Sequence, residues 1–148
     1  MSFKIKDIIF EDDSFVVATL IRPHIDRKDG GHIIVYLKSN NWINFSDLPQ
    51  DIATGLVLLA MRVGKAMLQS LNENGIDVGT INYQINGNWS VRCDSRDPIH
   101  LHIYGRAKSS VNQKYGESLF LPLPSTGFYD GFSPLSDADI ESIKKQII

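Results

Sequence analysis

Within the stretch DPIHLHIYGRAK, residues Asp97–Lys108, the segment IHLHIYGR at 99–106 alternates strictly. A period of two predicts a β-strand that turns its leucine and isoleucines toward the core. The two histidines, His100 and His102, then share the opposite face. Neighbouring residues on one face of a strand lie about 7 Å apart, so one phosphate group can contact both imidazoles.

Three interpretations of this histidine pair are open from the residues alone. In the first, both rings simply occupy the solvent side of an antiparallel strand. In the second, they bind a metal ion, but His24 and His32 are the only other histidines and the remaining ligands cannot be assigned. In the third, one ring acts as a nucleophile or as an acid–base catalyst.

Length and composition are those of an ordinary globular domain. The 148 residues are 43% hydrophobic and 22% charged, and we assign the whole chain, 1–148, to a single domain. The formal net charge of −2, with no charged tail, does not favour binding to nucleic acid or to a membrane. The one cysteine excludes an internal disulfide, and no signal peptide or membrane span is evident, so we expect a cytoplasmic protein.

The clearest helix is predicted over residues 49–72. Apolar side chains recur there at helical spacing, Pro49 suits a first turn, and Asn74 followed by Gly75 marks the end. A second apolar stripe contains Ala53, Val57, Ala60, Gly64 and Leu68. A single sheet cannot cover both stripes, so we expect a homodimer that forms through this helix.

The other segments complete an α+β pattern. The predicted strands, besides the one that carries the histidine pair, are FVVATLI at 15–21, HIIVYL at 32–37 and GTINYQING at 79–87. A short C-terminal helix is predicted in SDADIESIKKQII, with Ser136 as its N-cap. The polar and proline-rich residues between 107 and 135 are expected to wrap the surface. This order of elements predicts a mainly antiparallel sheet.

Four separated segments together resemble the histidine triad (HIT) superfamily. They are GGHIIVYLK at 30–38, FSDL at 45–48, INYQINGN at 81–88 and IHLHIYGR at 99–106. The resemblance covers residues 8–106 and leaves 107–148 as a C-terminal extension. It implies a HIT-like α+β fold and a homodimer that forms through the long helix and an adjoining strand.

The resemblance also implies which histidine is the nucleophile. If Arg106 matches the family's arginine six residues after the nucleophile, then the nucleophile is His100. His102 then matches the third histidine of the triad, and Pro98 replaces the first. In the other register His102 is the nucleophile and Tyr104 replaces the third histidine. The arginine spacing favours His100.

The chemistry that the resemblance implies is nucleotidyl transfer or hydrolysis at the α-phosphate of a nucleotide, through a covalent nucleotidyl-histidine. Such enzymes include phosphoramidases and dinucleoside polyphosphate hydrolases. His100 would attack phosphorus, and His102 would contact the phosphate or the leaving group. The implied substrate-binding residues are His32, Asn86, Ser95, Ile21 and Arg106. The implied ligand is a nucleotide or a nucleotide conjugate, with no metal and no cofactor.

Two positions depart from the family pattern. Pro98 cannot supply the first imidazole, although its main-chain carbonyl remains and is expected to accept a hydrogen bond from His100. Leu20 stands where many members carry an aspartate that binds the ribose hydroxyls. These departures favour an alternative in which the chain binds a nucleotide or another phosphorylated ligand without turnover. A third alternative is a dimeric interaction module whose histidines only face water.

Overall fold

The computed structural model describes residues 4–88 and 97–147 and has the α+β architecture expected from the sequence. One antiparallel sheet contains five strands in the order β1-β2-β3-β5-β4. The strands are β1 (Ile5–Glu11), β2 (Phe15–Leu20), β3 (His32–Leu37), β4 (Val78–Gln84) and β5 (His100–Ala107). The helices are α1 (Gln50–Glu73) and α2 (Asp137–Ile147), and short 3-10 turns occur at Arg27–Asp29, Phe45–Asp47 and Pro124–Thr126.

Strand β1 is the element that the sequence patterns did not predict. Its residues, IKDIIFE, mix charged and apolar side chains without strict alternation, and most of them are only partly buried. The strand pairs with β2 alone and contains two irregularities in register. An edge strand of this kind depends on its neighbour for its conformation, so local periodicity is a weak signal for it.

One face of the sheet packs against both helices and forms the main core. Leu101 and Ile103 of β5 are buried there together with Leu56 and Val63 of α1 and Ile143 of α2. Strand β5 therefore has the predicted orientation, with Leu101 and Ile103 directed toward the helices. Within the described ranges, neither helix combines the length and apolar character needed to cross a membrane.

The opposite face of the sheet is also largely buried. A second, smaller cluster of apolar side chains lies on it, and its members are Val16, Ala18, Leu20, Ile34 and Tyr36. His102 belongs to the same face and is only 3% exposed. The interpretation that both histidines simply face water is therefore wrong for His102.

The outer surface of α1 differs from the predicted second stripe. Ala60 and Gly64 are buried, and a Cβ atom at Gly64 would lie 2.0 Å from the hydroxyl oxygen of Tyr83 in β4. The reason at Gly64 is that Tyr83 of β4 packs against this side of α1, so the chain itself covers part of the predicted stripe. The apolar side chains that stay exposed on α1 include Val57 at 46%, Leu58 at 55% and Met61 at 60%.

Helix α2 begins as predicted at a Ser136 cap. The Asp139 N–H donates to Ser136 Oγ, and the Ser136 N–H donates to the Asp139 carboxylate. The same buried carboxylate accepts two hydrogen bonds from Arg27, in the loop between β2 and β3, and one from Asn74 at the end of α1. Arginine bonds of this kind are bidentate and hold the two groups in a defined geometry. Asp139 thus ties α2 to the β2–β3 loop.

Candidate functional site

Strand pairing brings three of the four histidines onto one face of the sheet. In the β3–β5 ladder Tyr36 lies opposite His100, Ile34 opposite His102, and His32 opposite Tyr104. His32 therefore sits one step diagonally from His102, within reach of its ring. The imidazole nitrogens His32 Nε2 and His102 Nδ1 are 3.0 Å apart.

The orientation of His100 is set by the residue that replaces the first triad histidine. The Nδ1 atom of His100 lies 2.9 Å from the main-chain carbonyl oxygen of Pro98, which is the hydrogen bond expected from the sequence. A carbonyl can only accept, so the proton of the neutral ring resides on Nδ1. The lone pair is then on Nε2, and the ring is partly exposed.

His32 is held by hydrogen bonds at both ring nitrogens. The main-chain N–H of His24 donates to His32 Nδ1 at 3.1 Å, so this nitrogen carries no proton. The proton of the neutral His32 ring is therefore on Nε2, from which it is donated to His102 Nδ1. We call this ordered series, from the His24 main chain through His32 to His102, the histidine relay.

The relay leaves His102 with one hydrogen-bond donor to offer. Because Nδ1 of His102 accepts from His32, the proton of its neutral ring is on Nε2. That Nε2 atom is buried and has no hydrogen-bond partner among residues 4–88 and 97–147. A buried donor without a partner is rare in folded proteins and commonly marks a functional position. A donor in this position can bind an anion.

Burial keeps the relay neutral. It lowers the pKa of His32 and of His102 well below the usual value for histidine, and neighbouring imidazoles lower each pKa further because like charges repel. The tautomers derived for His32 and His102 are therefore those present at neutral pH.

The structure adds His24, whose role the sequence did not reveal. Its ring stacks on that of His32 with centroids 4.7 Å apart, and it lies 5.3 Å from the ring of His102. Its Nδ1 is 2.8 Å from the hydroxyl oxygen of Tyr104. The loop residue and the strand residues are far apart in sequence, so no local spacing connects them.

Three of these imidazoles are close enough to hold one metal ion. Nitrogens of His24, His32 and His102 all lie within 4.8 Å of one another. To bind a metal, however, Nε2 of His32 would have to lose its proton, and a neutral ring would then carry the proton on Nδ1, facing the His24 N–H. The hydrogen bonds are therefore better explained by the histidine relay, in which each ring nitrogen has a defined protonation state, than by a metal site.

The remaining predicted site residues have different positions. Asn86 follows β4, one step beyond Gln84, which lies opposite His102, and side-chain atoms of both amides are buried without a partner among the described residues. Ile21, just after β2, is 51% exposed. Ser95 lies outside the described residues.

Arg106 does not belong to the group of histidines. Its side chain is buried, and Nη2 donates to the main-chain carbonyls of Gln113, Lys114 and Glu117. These contacts hold the C-terminal extension against the sheet. We therefore leave Arg106 out of the candidate site, where the sequence had predicted a substrate-binding residue.

No known protein-family model and no curated protein matches this sequence. Solved structures do match the fold. A zinc-bound histidine triad family protein from Mycobacterium smegmatis is 20% identical, with 95% of this chain and 82% of that chain covered and a TM-score of 0.59. A histidine triad protein from Sinorhizobium meliloti is 12% identical, with 99% and 95% covered and a TM-score of 0.63.

A third similar structure is a hypothetical histidine triad nucleotide-binding protein from Sulfolobus tokodaii. It is 14% identical, with 95% of this chain and 79% of that chain covered and a TM-score of 0.57. The three likenesses each span nearly all of this chain. The chain therefore has the fold of the histidine triad proteins.

Proposed function

We propose that this protein binds a nucleotide or a nucleotide conjugate and acts at its α-phosphate through a covalent nucleotidyl-His100. The observation that carries the proposal is the 2.9 Å hydrogen bond between His100 Nδ1 and the Pro98 carbonyl. This bond places the lone pair of the neutral imidazole on Nε2 of a partly exposed ring, as a nucleophile requires. The similarity to a protein named as nucleotide-binding supports the choice of ligand.

The reaction would proceed in two displacements at phosphorus. The Nε2 lone pair of His100 attacks, a phosphorus–nitrogen bond forms, and the bond from phosphorus to the leaving group breaks. The leaving group then takes a proton from solvent. In the second step water attacks phosphorus, the phosphorus–nitrogen bond breaks, and the proton of water goes to solvent. An alcohol or amine in place of water would give transfer instead of hydrolysis.

His102 would stabilise the charge that develops on the phosphate oxygens. Its buried Nε2–H is fixed in direction by the relay before any ligand arrives, so no reorganisation is needed during the reaction. Removing one such donor typically slows a reaction about 10²- to 10³-fold. His100, by contrast, is required for the covalent bond itself.

The test is detection of the covalent adduct. A nucleoside phosphoramidate incubated with the wild-type protein should leave one nucleoside monophosphate on the chain, seen by intact-protein mass spectrometry after quenching without acid. His100→Ala should abolish both adduct and turnover. His102→Ala should keep the adduct while slowing its formation about 10²- to 10³-fold. Melting curves of both variants provide the control for folding.

Two results would contradict this assignment. An adduct that persists in His100→Ala and disappears in His102→Ala would make His102 the nucleophile. The absence of adduct and turnover with every purine and pyrimidine donor, despite measurable nucleotide binding, would exclude the enzymatic function.

The second candidate function is binding without turnover. The observation that favours it is Leu20, which is buried on the same sheet face as the histidines and offers no hydrogen bond to a sugar. A ligand that relies less on its ribose would then occupy the site. Binding would appear as stabilisation of the protein, about 2.7 kcal/mol at a ligand concentration one hundred times Kd.

We further propose that two copies form a homodimer through α1 and β4. Helix α1 keeps exposed apolar side chains, Tyr83 of β4 is 45% exposed and packs beside Gly64 of α1, and β4 is an edge strand of the sheet. These features leave surface that a second copy can cover. The sequence had predicted the same helix, but with Ala60 and Gly64 in the interface, which their burial excludes.

A further inference from the structure

We propose that His24 binds the phosphate group of the ligand together with His102, as a donor supplied by the loop between β2 and β3. The proposal deepens the function above and rests on it. A nitrogen of His24 lies within 4.8 Å of a nitrogen of His102, and their ring centroids are 5.3 Å apart. Two imidazoles whose rings lie this close can donate to different oxygens of one phosphate.

Tyr104 determines which nitrogen of His24 carries the proton. The Tyr104 side chain is fully buried, and its hydroxyl lies 2.8 Å from His24 Nδ1. A buried phenol must place its proton on an acceptor, and His24 Nδ1 supplies one within the described part of the chain. His24 is neutral at pH 7, because burial, and to a smaller extent repulsion from any positive charge on His100, lowers its pKa to about 4. Its own proton is therefore on Nε2, as in His102.

The loop that carries His24 is rigidly placed. Its neighbours Pro23 and Ile25 are buried, and its main-chain N–H is the donor that starts the histidine relay. The Asp26 carboxylate accepts from the main-chain N–H groups of Lys28 and Ser133, which fixes the rest of the loop. The ring of His24 is thus held in place before a ligand binds, as a recognition residue requires.

The neighbourhood of His24 is suited to an anion. The carboxylates that follow it in the loop, those of Asp26 and Asp29, are occupied by main-chain N–H groups. Leu20 and Ile34 contribute only apolar surface on this face. Such a site, with imidazole N–H donors and apolar walls, selects a phosphate rather than a pair of sugar hydroxyls. Tyr104 acts here as a positioning residue.

The experiment measures binding of two probes, inorganic phosphate and adenosine 5′-monophosphate, by calorimetry and by ³¹P NMR. His24→Ala should weaken binding of both probes about tenfold, the usual effect of losing one hydrogen bond to a charged group. His24→Gln keeps an acceptor for the Tyr104 hydroxyl and an N–H donor, and it should bind within about threefold of wild type.

A spectroscopic readout tests the positioning role independently of any ligand. In protein labelled with ¹⁵N-histidine, His24 should be the Nε2–H tautomer in wild type and a mixture of tautomers in Tyr104→Phe. Tyr129→Phe is the matched control. Its ring also lies beside that of His24, at 5.4 Å, but its hydroxyl donates to the Pro122 carbonyl instead. That variant should preserve the His24 tautomer and the binding of both probes.

The outcomes separate this inference from the proposed function. If a folded His24→Ala variant binds either probe as tightly as the wild type does, the proposed role of His24 is overturned. The proposed function is not affected by that result. Equal losses in His24→Ala and His24→Gln would also overturn it, because they would show that only the shape of the ring matters. A wild-type protein that binds neither probe would overturn both proposals.

Discussion

His100 and His102 carry the same side chain two positions apart, yet their hydrogen-bond partners favour opposite tautomers. His100 donates from Nδ1 to the Pro98 carbonyl and keeps its lone pair on Nε2. His102 accepts at Nδ1 from His32 and keeps its proton on Nε2. The first arrangement suits a nucleophile and the second suits a donor, because the tautomer of a neutral imidazole decides which nitrogen can attack and which can donate.

At the residue scale, the buried neutral histidines make stability depend on pH. The pKa of His24 is about 4 in the folded protein and about 6.5 in the unfolded chain. The unfolded chain therefore binds more protons between these values, so His24 contributes stability above pH 6.5 that is lost as pH falls toward 4. The full shift corresponds to about 3 kcal/mol of unfolding free energy.

The measurement compares urea unfolding of wild type and His24→Gln from pH 7.5 down to pH 4.5. We expect the unfolding free energy of wild type to fall more steeply, since glutamine does not titrate. The carboxylates are common to both proteins, so their contributions cancel in the difference. Curves that run parallel over this range would contradict the neutral, buried state of His24.

At the scale of elements, two buried charged side chains hold the polar segment that follows β5 in place. This segment, residues 108–120, is called the excursion below. Arg106 donates to three main-chain carbonyls between residues 113 and 117, and Asp29 accepts from the N–H groups of Val111, Asn112 and Gln113. Gln113 in turn exchanges two hydrogen bonds with the main chain of Phe120. A segment with the composition of a solvated loop is thereby fixed against the sheet.

Arg106→Lys should loosen this excursion without affecting the nucleophile. Lysine cannot reproduce the planar guanidinium fork, so at least one of the three carbonyls would lose its donor. We expect main-chain hydrogen exchange of residues 109–117 to become about tenfold faster, measured by mass spectrometry. Lys108→Ala, which changes an exposed neighbour, is the control. If hydrogen exchange is unchanged in Arg106→Lys but adduct formation at His100 is impaired, Arg106 belongs to the substrate-binding site after all.

At the scale of the whole molecule, the proposed homodimer rests on apolar surface that a single chain leaves exposed. Val57, Leu58 and Met61 form an exposed apolar surface on α1, whereas the inner side of the same helix is buried. The edge strand β4 also exposes the side chain of Tyr83. Apolar side chains in this arrangement are typical of an interface between subunits.

Charged substitutions on the outer surface of α1 should produce monomers. We expect wild type to sediment at about twice the chain mass of 16.6 kDa at micromolar concentration, and the double variant Val57→Lys, Met61→Lys to sediment at about the chain mass. Val111→Lys, at an exposed apolar position in the excursion after β5, should remain dimeric. A wild-type protein that sediments as a monomer would refute the interface.

Local pattern by itself determined the main elements of this protein. Alternation placed β5 and the orientation of its histidines, and helical spacing placed α1 within one residue of its observed ends. The four separated segments that resemble the histidine triad superfamily pointed to the correct fold, because their order and spacing match those of the family. The expected hydrogen bond from His100 to residue 98 is of the same local kind.

Only the tertiary structure decided what each of the remaining side chains contacts. The positions of His24 against His102, of Arg106 against the excursion, and of Gly64 against Tyr83 join residues that are distant in sequence. The same holds for the burial of His102, which depends on what covers the second face of the sheet. Tautomers, pKa values and exposed surfaces all follow from such contacts, because the local sequence sets the direction of a side chain but not its surroundings.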